Sequence, residues 1–281
     1  MNVGIIGLGL MGGSIAQALQ QRHHIVAYDI NEDALQYAMN HKIIHEMSRN
    51  LTDFAQKVQV VFLCLYPNDI ITFIKDHQLA FSSNTVLIEI AGIKTKFVKD
   101  LLPFLRQDLD LVMTHPIAGR EKIGVRHANP SIFNKQNFVI VPTDRNTPEH
   151  LELVREFARE MGFGTITDLS PEAHDEIIAY TSQLTHVLSL ALVDADDFHF
   201  QTARFIGDSY RDLTRIAMIN EKLWSDLLIA NHAHLIPRID QFIDSLSRYK
   251  DAIQNNDVQT LVSLMKLAKE RRFSIEKDVK E

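Results

Sequence analysis

The sequence predicts an α/β amino-terminal domain followed by an all-α carboxy-terminal domain, with the boundary near residue 168. Three observations support this prediction. Short apolar runs alternate with helical patterns in the first half, a glycine-rich turn follows the first run, and strand signals disappear after the triplet 170–172. We therefore assign residues 1–168 to the α/β domain and residues 169–281 to the helical domain.

The apolar runs of the first half have the length of buried strands. An amphipathic segment over residues 11–21 follows the first run, and polar turns with helix-like stretches follow several later ones. Strands that alternate with helices favour a mostly parallel sheet covered on both faces. The predicted strands are residues 3–6, 25–28, 60–65, 85–90, 111–114, 138–141 and 164–167.

The helical half opens on a strong start signal, with Ser170 as N-cap, Pro171 at the first position and Glu172 in the first turn. Apolar residues then recur at helical spacing to about residue 199. Further helices are predicted near residues 202–218, 221–249 and 256–278.

Composition excludes several classes of protein. Of 281 residues, 46% are hydrophobic and 23% are charged, which is typical of a globular protein. The net charge of −7 argues against a nucleic-acid surface. The single cysteine, Cys64, excludes an internal disulfide, and its apolar neighbours predict a buried strand residue. No run approaches the ~20 apolar residues of a membrane span, and no signal peptide is evident, so we expect a cytoplasmic protein without membrane partners.

The turn after the first strand fits the GxGxxG fingerprint of a Rossmann-type dinucleotide-binding domain. Gly7 permits the tight turn, Gly9 lets the backbone approach a pyrophosphate, and Gly12 lets the helix pack close to the strand. Leu10 and Met11 begin the helix, whose N-terminus offers free N–H groups to the phosphates. These five residues are the predicted cofactor-binding turn.

Asp29 ends the second strand, 20 residues beyond Gly9, where the fingerprint expects a carboxylate on the ribose 2′-hydroxyl. A carboxylate there would repel a 2′-phosphate, and no arginine follows it, so the sequence favours NAD over NADP. The alternative is that Asp29 only caps the helix that starts near Asn31.

His115 follows a predicted strand in the segment 114–121, which places it at the carboxyl edge of the sheet, where α/β folds bind their ligands. A neutral imidazole there could accept the proton of a substrate hydroxyl while a hydride leaves the same carbon. A lone histidine is more often structural, and only the position of His115 favours the functional interpretation.

Two further clusters lie in the helical half. Ser182 and His186 are four residues apart and share a helix face, as do Arg211 and Arg215. Arginine suits the two-point binding of a carboxylate, so these residues are candidates for substrate binding. An Asp212–arginine pair on a solvated helix would explain the second cluster equally well.

Taken together, these segments resemble the prephenate and arogenate dehydrogenase family over nearly the whole chain. The resemblance implies that NAD takes the hydride from the ring carbon bearing the hydroxyl and that the ring loses carbon dioxide. It also implies a role in tyrosine biosynthesis. The product would be 4-hydroxyphenylpyruvate from prephenate, or tyrosine from arogenate. The matching segments are GLGLMGGSIA, THPIAGRE, TSQLTH, SYRDLTRIA, LWSDLLIAN, which contains the recurrent Trp224 and Asn231, and LAKERR.

The resemblance also implies roles for individual residues. His115 matches the catalytic histidine, which accepts a hydrogen bond from the ring hydroxyl. Arg215 matches the arginine that binds a substrate carboxylate, and His186 matches a second substrate-contacting histidine. Glu121 matches an acid that helps gate the site. The helical domain would bind substrate and form a homodimer, and no metal is expected.

Two positions depart from the family pattern. The family often has D-x-x-S-x-K, whose serine also bonds the ring hydroxyl, whereas residues 89–94 here read EIAGIK and place Gly92 at that position. Gln183 stands where the family often has a histidine. His115 would therefore lack a hydroxyl partner, or a water would replace it.

Three alternatives stay open. No identified residue decides between prephenate and arogenate. A 6-phosphogluconate dehydrogenase type is disfavoured because residues 172–199 contain no lysine. A non-catalytic NAD-responsive binding protein is favoured by Gly92 and opposed by His115, His186 and Arg215. Apolar spacing in the late helices fits a dimer, although an intrachain core would show the same pattern (Leu261, Leu264, Met265, Leu267 and Ala268).

Overall fold

The structure, a computed structural model, describes residues 1–120, 122–197 and 201–278. Contacts divide the chain into two compact units, Met1–His232 and Ala233–Glu281. The predicted domain boundary near residue 168 stays a prediction.

A twisted sheet forms the centre of the first unit. In the described part of the chain it has eight strands: β1 Asn2–Ile6, β2 His24–Tyr28, β3 Glu46–Ser48, β4 Val60–Leu63, β5 Val86–Glu89, β6 Asp110–Ile117, β7 Asn137–Val141 and β8 Thr165–Asp168. Their order is β3-β2-β1-β4-β5-β6-β7-β8, and every pair is parallel except β6 with β7. Buried apolar clusters cover both faces, as the sequence predicted.

The predicted strands are all present, with differences at their ends. Strand β3 was missed because three residues are too few for a periodic signal. Strand β4 ends at Leu63, so the prediction of Cys64 as a buried strand residue is wrong: Cys64 follows the strand and is partly buried. Strand β6 runs on to Ile117 because β7 pairs with it beyond the end of β5.

Twelve α-helices are present within the described residues. They are α1 Leu10–Leu19, α2 Glu32–Asn40, α3 Leu51–Lys57, α4 Pro67–His77, α5 Thr95–Asp100, α6 Pro148–Glu160, α7 Pro171–Ile178, α8 Leu184–Asp194, α9 Asp208–Thr214, α10 Glu221–Ala230, α11 His232–Gln254 and α12 Val258–Asp278. The helix start at Ser170 is confirmed, because its side chain accepts a hydrogen bond from the backbone N–H of Ala173.

The predicted helices of the second half are more broken than the sequence suggested. A π-helical turn, Ala179–Gln183, separates α7 from α8. The segment predicted near 202–218 is α-helical only over α9, which starts after Gly207, with 3-10 turns on either side. The segment predicted over 221–249 divides at Asn231, which ends α10.

One helical stretch among the described residues, Pro171–Asp194, is long and apolar enough to cross a membrane by length and composition. The sequence alone predicts no membrane span. An apolar helix that packs against a globular core meets the same criteria. This stretch includes buried polar residues that hydrogen-bond within the first unit, among them Asp175 and Gln183.

The second unit consists of most of α11 together with α12. Its buried apolar side chains include Leu235 and Ala252. Many large apolar side chains of this unit are exposed: Ile236, Ile243, Leu246, Ile253, Val258, Val262, Met265, Leu267, Phe273 and Ile275.

Candidate functional site

The glycine turn between β1 and α1 is built by two close backbone approaches. Gly7 has φ +92°, and a Cβ added there would lie 2.5 Å from the carbonyl oxygen of Cys64. A Cβ added to Gly12 would lie 2.0 Å from the carbonyl oxygen of Gly7. Neither position can carry a side chain without moving backbone, so both glycines are required by the turn itself.

Gly9 differs from these two glycines, because a Cβ built on it meets no atom within 4 Å. Gly9 is also the N-cap of α1, and no side chain caps the helix there. The first-turn N–H groups of Leu10, Met11 and Gly12 have no partner inside a helix by geometry. Open space beside free N–H groups fits the diphosphate of a dinucleotide.

Asp29 follows β2 and turns its carboxylate toward this loop. Oδ2 accepts the N–H of Leu8 at 2.5 Å, and Oδ1 accepts the N–H of Asn31 at 2.7 Å. The cap of α2 is Asn31, whose side chain accepts the N–H groups of Asp33 and Ala34. The alternative assignment of Asp29 as the cap of that helix is therefore wrong. A carboxylate has further lone pairs, which leaves capacity for a ribose hydroxyl.

His115 lies inside β6 rather than after it, opposite Val139 of the antiparallel strand β7. On the other side of β6, pairing with β5 ends at Met113. His115 is thus two residues beyond the last paired residue of the parallel neighbour, so it stands at the carboxyl edge of the parallel strands, as predicted. Taken as a whole residue, His115 is half-buried.

A chain of three polar side chains runs inward from His115. Its Nδ1 lies 2.9 Å from Nε2 of His174, and Nδ1 of His174 lies 2.8 Å from Oδ1 of Asp175. His174 and Asp175 are buried in α7. The Asp175 carboxylate also accepts the backbone N–H groups of Lys94 at 2.8 Å and Thr95 at 2.9 Å, which anchors it at the start of α5.

A buried ion pair holds the loop between β5 and α5. The Lys94 ammonium donates to the carboxylate of Glu89, to the carbonyl of Ala91 at 2.7 Å and to the carbonyl of Thr114 at 2.6 Å. Both charged side chains are fully buried. Three acceptors satisfy the three protons of the ammonium, so the pair ties the loop to Thr114 within β6, next to His115.

Gly92 lies in the loop that this ion pair holds. A Cβ built on Gly92 would stand 3.5 Å from both Cε1 and Nε2 of His115, and 3.5 Å from Cδ2 of Leu227. A serine at this position would therefore place its hydroxyl beside the outer nitrogen of His115. The glycine that replaces the family serine at position 92 therefore removes a side chain that would contact the His115 imidazole.

The electrostatic environment keeps both histidines neutral. Burial lowers the pKa of His115 well below its ordinary value, and His174 and Lys94 lower it further. Burial also lowers the pKa of His174, against the opposing effect of Asp175. Burial acts to raise the pKa of Asp175, but hydrogen bonds from His174 and Thr95 outweigh it, so that pKa is lowered. The chain therefore has a carboxylate at its inner end and a neutral imidazole at its outer end.

The helices of the second half place two aromatic rings together. His186 of α8 stacks on Trp224 of α10 with ring centroids 3.6 Å apart. Nδ1 of His186 lies 2.9 Å from the carbonyl oxygen of Ser182, so that nitrogen donates its proton. Trp224, whose role the sequence did not reveal, orients His186.

Asn231 also acquires a role. Its side-chain amide donates to the backbone carbonyl of Asp175 and to Oε1 of Gln183, each at 2.8 Å. Gln183 is buried and donates to the carbonyl of Leu227 at 3.3 Å. Gln183, which stands where the family often has a histidine, therefore links the π-helical turn to α10.

The predicted arginines lie on exposed segments. Arg211 is in α9 and donates to the carbonyl of Ile206 at 3.3 Å. Arg215 begins a 3-10 turn that packs against α8, the helix that carries His186. Glu121, the predicted gating acid, lies outside the described residues. The roles predicted for these three residues stay predictions.

Sequence reasoning missed His174, Asp175, Glu89 and Lys94. The adjacent His-Asp pair directly after the Ser170 helix start was a usable signal, because a buried polar pair near a helix N-terminus needs partners. No group of three or more His, Cys, Asp or Glu residues that could hold a metal ion occurs in the part of the chain that the structure describes.

Two family models match the chain. Residues 15–166 match the nucleotide-binding domain of prephenate dehydrogenase, and residues 170–267 match its dimerization domain. The chain belongs to the prephenate dehydrogenase family. The predicted family and fold class are confirmed by these matches, and the match to the nucleotide-binding domain begins halfway along α1, after the glycine turn.

Relatives and solved structures agree with this assignment. Cyclohexadienyl dehydrogenase of Zymomonas mobilis is 25% identical over 99% of this chain and 97% of its own length. Prephenate dehydrogenase of Bacillus subtilis is 24% identical over 95% of this chain and 74% of its own length. The crystal structure of prephenate dehydrogenase from A. aeolicus, in complex with hydroxyphenyl propionate and NAD⁺, superposes with a TM-score of 0.88, 28% identity and 98% coverage of both chains.

Proposed function

We propose that this chain catalyses the NAD-dependent oxidative decarboxylation of prephenate to 4-hydroxyphenylpyruvate. The observation that carries the proposal is the position of His115, with its outer nitrogen at the carboxyl edge of the sheet and its inner nitrogen on a buried polar chain. The similar A. aeolicus enzyme binds NAD⁺ and hydroxyphenyl propionate, an aromatic acid related to the product.

The residues of the glycine turn would hold the cofactor. The space above Gly9 and the first N–H groups of α1 fit a diphosphate, and Asp29 fits a ribose hydroxyl. When bound, NAD supplies the hydride acceptor. Asp29 disfavours an added 2′-phosphate, which supports NAD as the cofactor.

His115 would accept the proton of the ring hydroxyl through Nε2 as the hydride leaves the same carbon. Loss of carbon dioxide is driven by formation of the aromatic ring, so the protein needs no electron sink. A positioned general base contributes typically ~10²–10⁴-fold in rate, and orientation of the reacting groups contributes the larger share. Arg215 would bind a substrate carboxylate, with His186 as a second contact.

The test is an assay of purified protein with prephenate and arogenate, each with NAD and NADP, followed by the absorbance of the reduced nicotinamide. We expect turnover with prephenate and NAD. His115→Asn should keep NAD affinity and lose most turnover, and Arg215→Ala should chiefly raise KM. Preference for arogenate, or unchanged turnover in His115→Asn, would contradict the proposal.

We also propose that the protein is a homodimer through its helical half. The matched dimerization domain supports this, as do the exposed apolar residues of α11. Ile236, Ile243, Leu246 and Ile253 recur at spacings of seven and three and so share one face of that helix. The same apolar face on a second copy of the chain can pack against this one, and both faces would then be removed from water.

Light scattering on a sizing column tests the dimer. Ile243→Glu places a charge on the apolar face and should shift the protein toward monomer. Gln241→Glu is the matched control, because helical spacing puts Gln241 on the opposite side of α11. A wild-type monomer at micromolar concentration would contradict the proposal. The cytoplasmic location expected from the sequence stays a prediction, which cell fractionation can test.

A further inference from the structure

The chain His115–His174–Asp175 has only one hydrogen-bonding arrangement that satisfies all three groups. Asp175 is ionised, because its pKa is lowered, and a carboxylate only accepts hydrogen bonds. The contact at 2.8 Å therefore requires a proton on Nδ1 of His174. A neutral His174 then has a bare Nε2, which accepts from its neighbour.

The second contact fixes His115 in turn. Nε2 of His174 lies 2.9 Å from Nδ1 of His115, so the proton between them belongs to His115 Nδ1. Nε2 of His115 is then unprotonated and carries a lone pair. The reverse arrangement would leave Nδ1 of His174 bare and facing the Asp175 carboxylate, which places two acceptors in contact.

A doubly protonated His174 is disfavoured by its surroundings. His174 is fully buried, and among the residues that the structure describes the titratable groups that face the two imidazoles are Asp175 and Lys94, with Glu89 paired to Lys94. The Lys94 ammonium opposes a second positive charge on either ring. The Asp175 carboxylate therefore orients the His174 ring through a hydrogen bond, while the ring stays neutral.

We propose that His174 is a positioning residue that, through Asp175, holds His115 in the tautomer whose Nε2 lone pair faces the substrate. This proposal rests on the proposed function. It explains why the base needs no carboxylate of its own. The buried carboxylate acts through an intervening imidazole, and the anchoring N–H groups of Lys94 and Thr95 keep that carboxylate fixed.

Two substitutions separate the contacts of His174. In His174→Gln, Oε1 can replace Nε2 as the acceptor for His115 while the bond to Asp175 is lost. In His174→Asn, Nδ2 can replace Nδ1 as the donor to Asp175 while the contact with His115 is lost. Asp175 keeps its two backbone donors in both variants.

We expect His174→Asn to lower kcat by about 10²-fold, within the range that a general base supplies, while KM and NAD affinity stay within about twofold. His174→Gln should lose less of kcat than His174→Asn, because it keeps an acceptor for His115. It should not reach the wild-type value, because Asp175 no longer fixes which atom of the amide faces Nδ1 of His115. A merely structural role for His174 would change KM, NAD affinity and melting temperature together, or change the two variants alike. Equal losses of kcat in the two variants would overturn the proposal.

NMR of the imidazole nitrogens in histidine-labelled protein provides a measurement independent of turnover. The His115 signals, identified by their loss in His115→Asn, should show a protonated Nδ1 and a bare Nε2 in the resting enzyme. A proton on Nε2 of wild-type His115 would overturn the proposal. If wild-type protein oxidised neither substrate, the proposed function would fail, yet the tautomer measurement would still decide this inference.

Discussion

Gly92 faces the outer edge of the His115 imidazole, with an added Cβ 3.5 Å from Nε2. That separation is an ordinary van der Waals contact, and Gly92 does not have a positive φ. The position therefore accepts a side chain without backbone strain. Glycine here removes a hydroxyl from the site without being required by the fold.

Restoring that hydroxyl should improve catalysis. We expect Gly92→Ser to raise kcat by about 2- to 10-fold, because one neutral hydrogen bond to the reacting oxygen contributes roughly 0.5–1.5 kcal/mol. Gly92→Ala is the control for the added Cβ and should leave kcat unchanged or slightly lower. Steady-state kinetics with prephenate and NAD measure both. If serine and alanine behave alike, the hydroxyl has no partner at this site.

The sequence predicted the sheet and the glycine turn well, because both rest on local signals. Strand-length apolar runs and the Gly7, Gly9 and Gly12 spacing are visible without tertiary contacts. The buried network behind His115 was missed for the opposite reason. His174 lies 59 residues from His115, and Lys94 lies 81 residues from Asp175, so only folding brings these partners together.

The helical half was harder to predict for a related reason. Asn231 ends α10, and its side chain donates hydrogen bonds to Asp175 and Gln183, which lie 56 and 48 residues away in the sequence. These partners come together only in the folded chain. The π-helical turn at Ala179–Gln183 has no periodic signature. Both features lie where the helices support the site.

The two kinds of glycine in the nucleotide turn should respond differently to alanine. Gly12→Ala drives a Cβ against the carbonyl of Gly7, so we expect a melting temperature lower by several degrees or failure to fold. Gly9→Ala meets no protein atom and should melt like wild type, yet bind NAD at least 10-fold more weakly because its methyl occupies the diphosphate space. Thermal melts and NAD titrations separate the two effects. If Gly9→Ala bound NAD as tightly as wild type, the diphosphate would not lie beside Gly9.

Asp29 should govern the choice of cofactor. Asp29→Asn keeps an oxygen that can accept the N–H of Leu8 and removes the charge that would face the ribose of a bound dinucleotide. A hydrogen bond to a charged group contributes about 1.5–3 kcal/mol, so we expect the KM for NAD to rise about 10- to 100-fold. The KM for NADP should fall relative to that for NAD, because repulsion of the 2′-phosphate is reduced. An unchanged ratio of the two KM values would remove Asp29 from the ribose site.

The pH dependence should report the lowered pKa of His115. The base acts in its neutral form, and burial, His174 and Lys94 each disfavour the imidazolium, so the neutral form persists below pH 6.5. The acid limb of the kcat/KM profile should therefore have an apparent pKa below 6.5, with activity lost as the pH falls through it. The same depressed pKa contributes stability that is present above pH 6.5 and lost below it, because the unfolded chain then binds a proton that the folded chain excludes.

Melting curves across the same pH range separate the loss of activity from the loss of stability. If activity falls at a pH where the protein is still folded, protonation in the active site is the cause. NAD affinity, measured by titration at each pH, should stay constant while kcat/KM falls. His115→Asn should lose this acid limb from its residual activity. An acid limb at or above pH 6.5 in the wild type would mean that a positive charge on His115 is stabilised rather than excluded, and that the buried chain behind it does not hold the imidazole neutral.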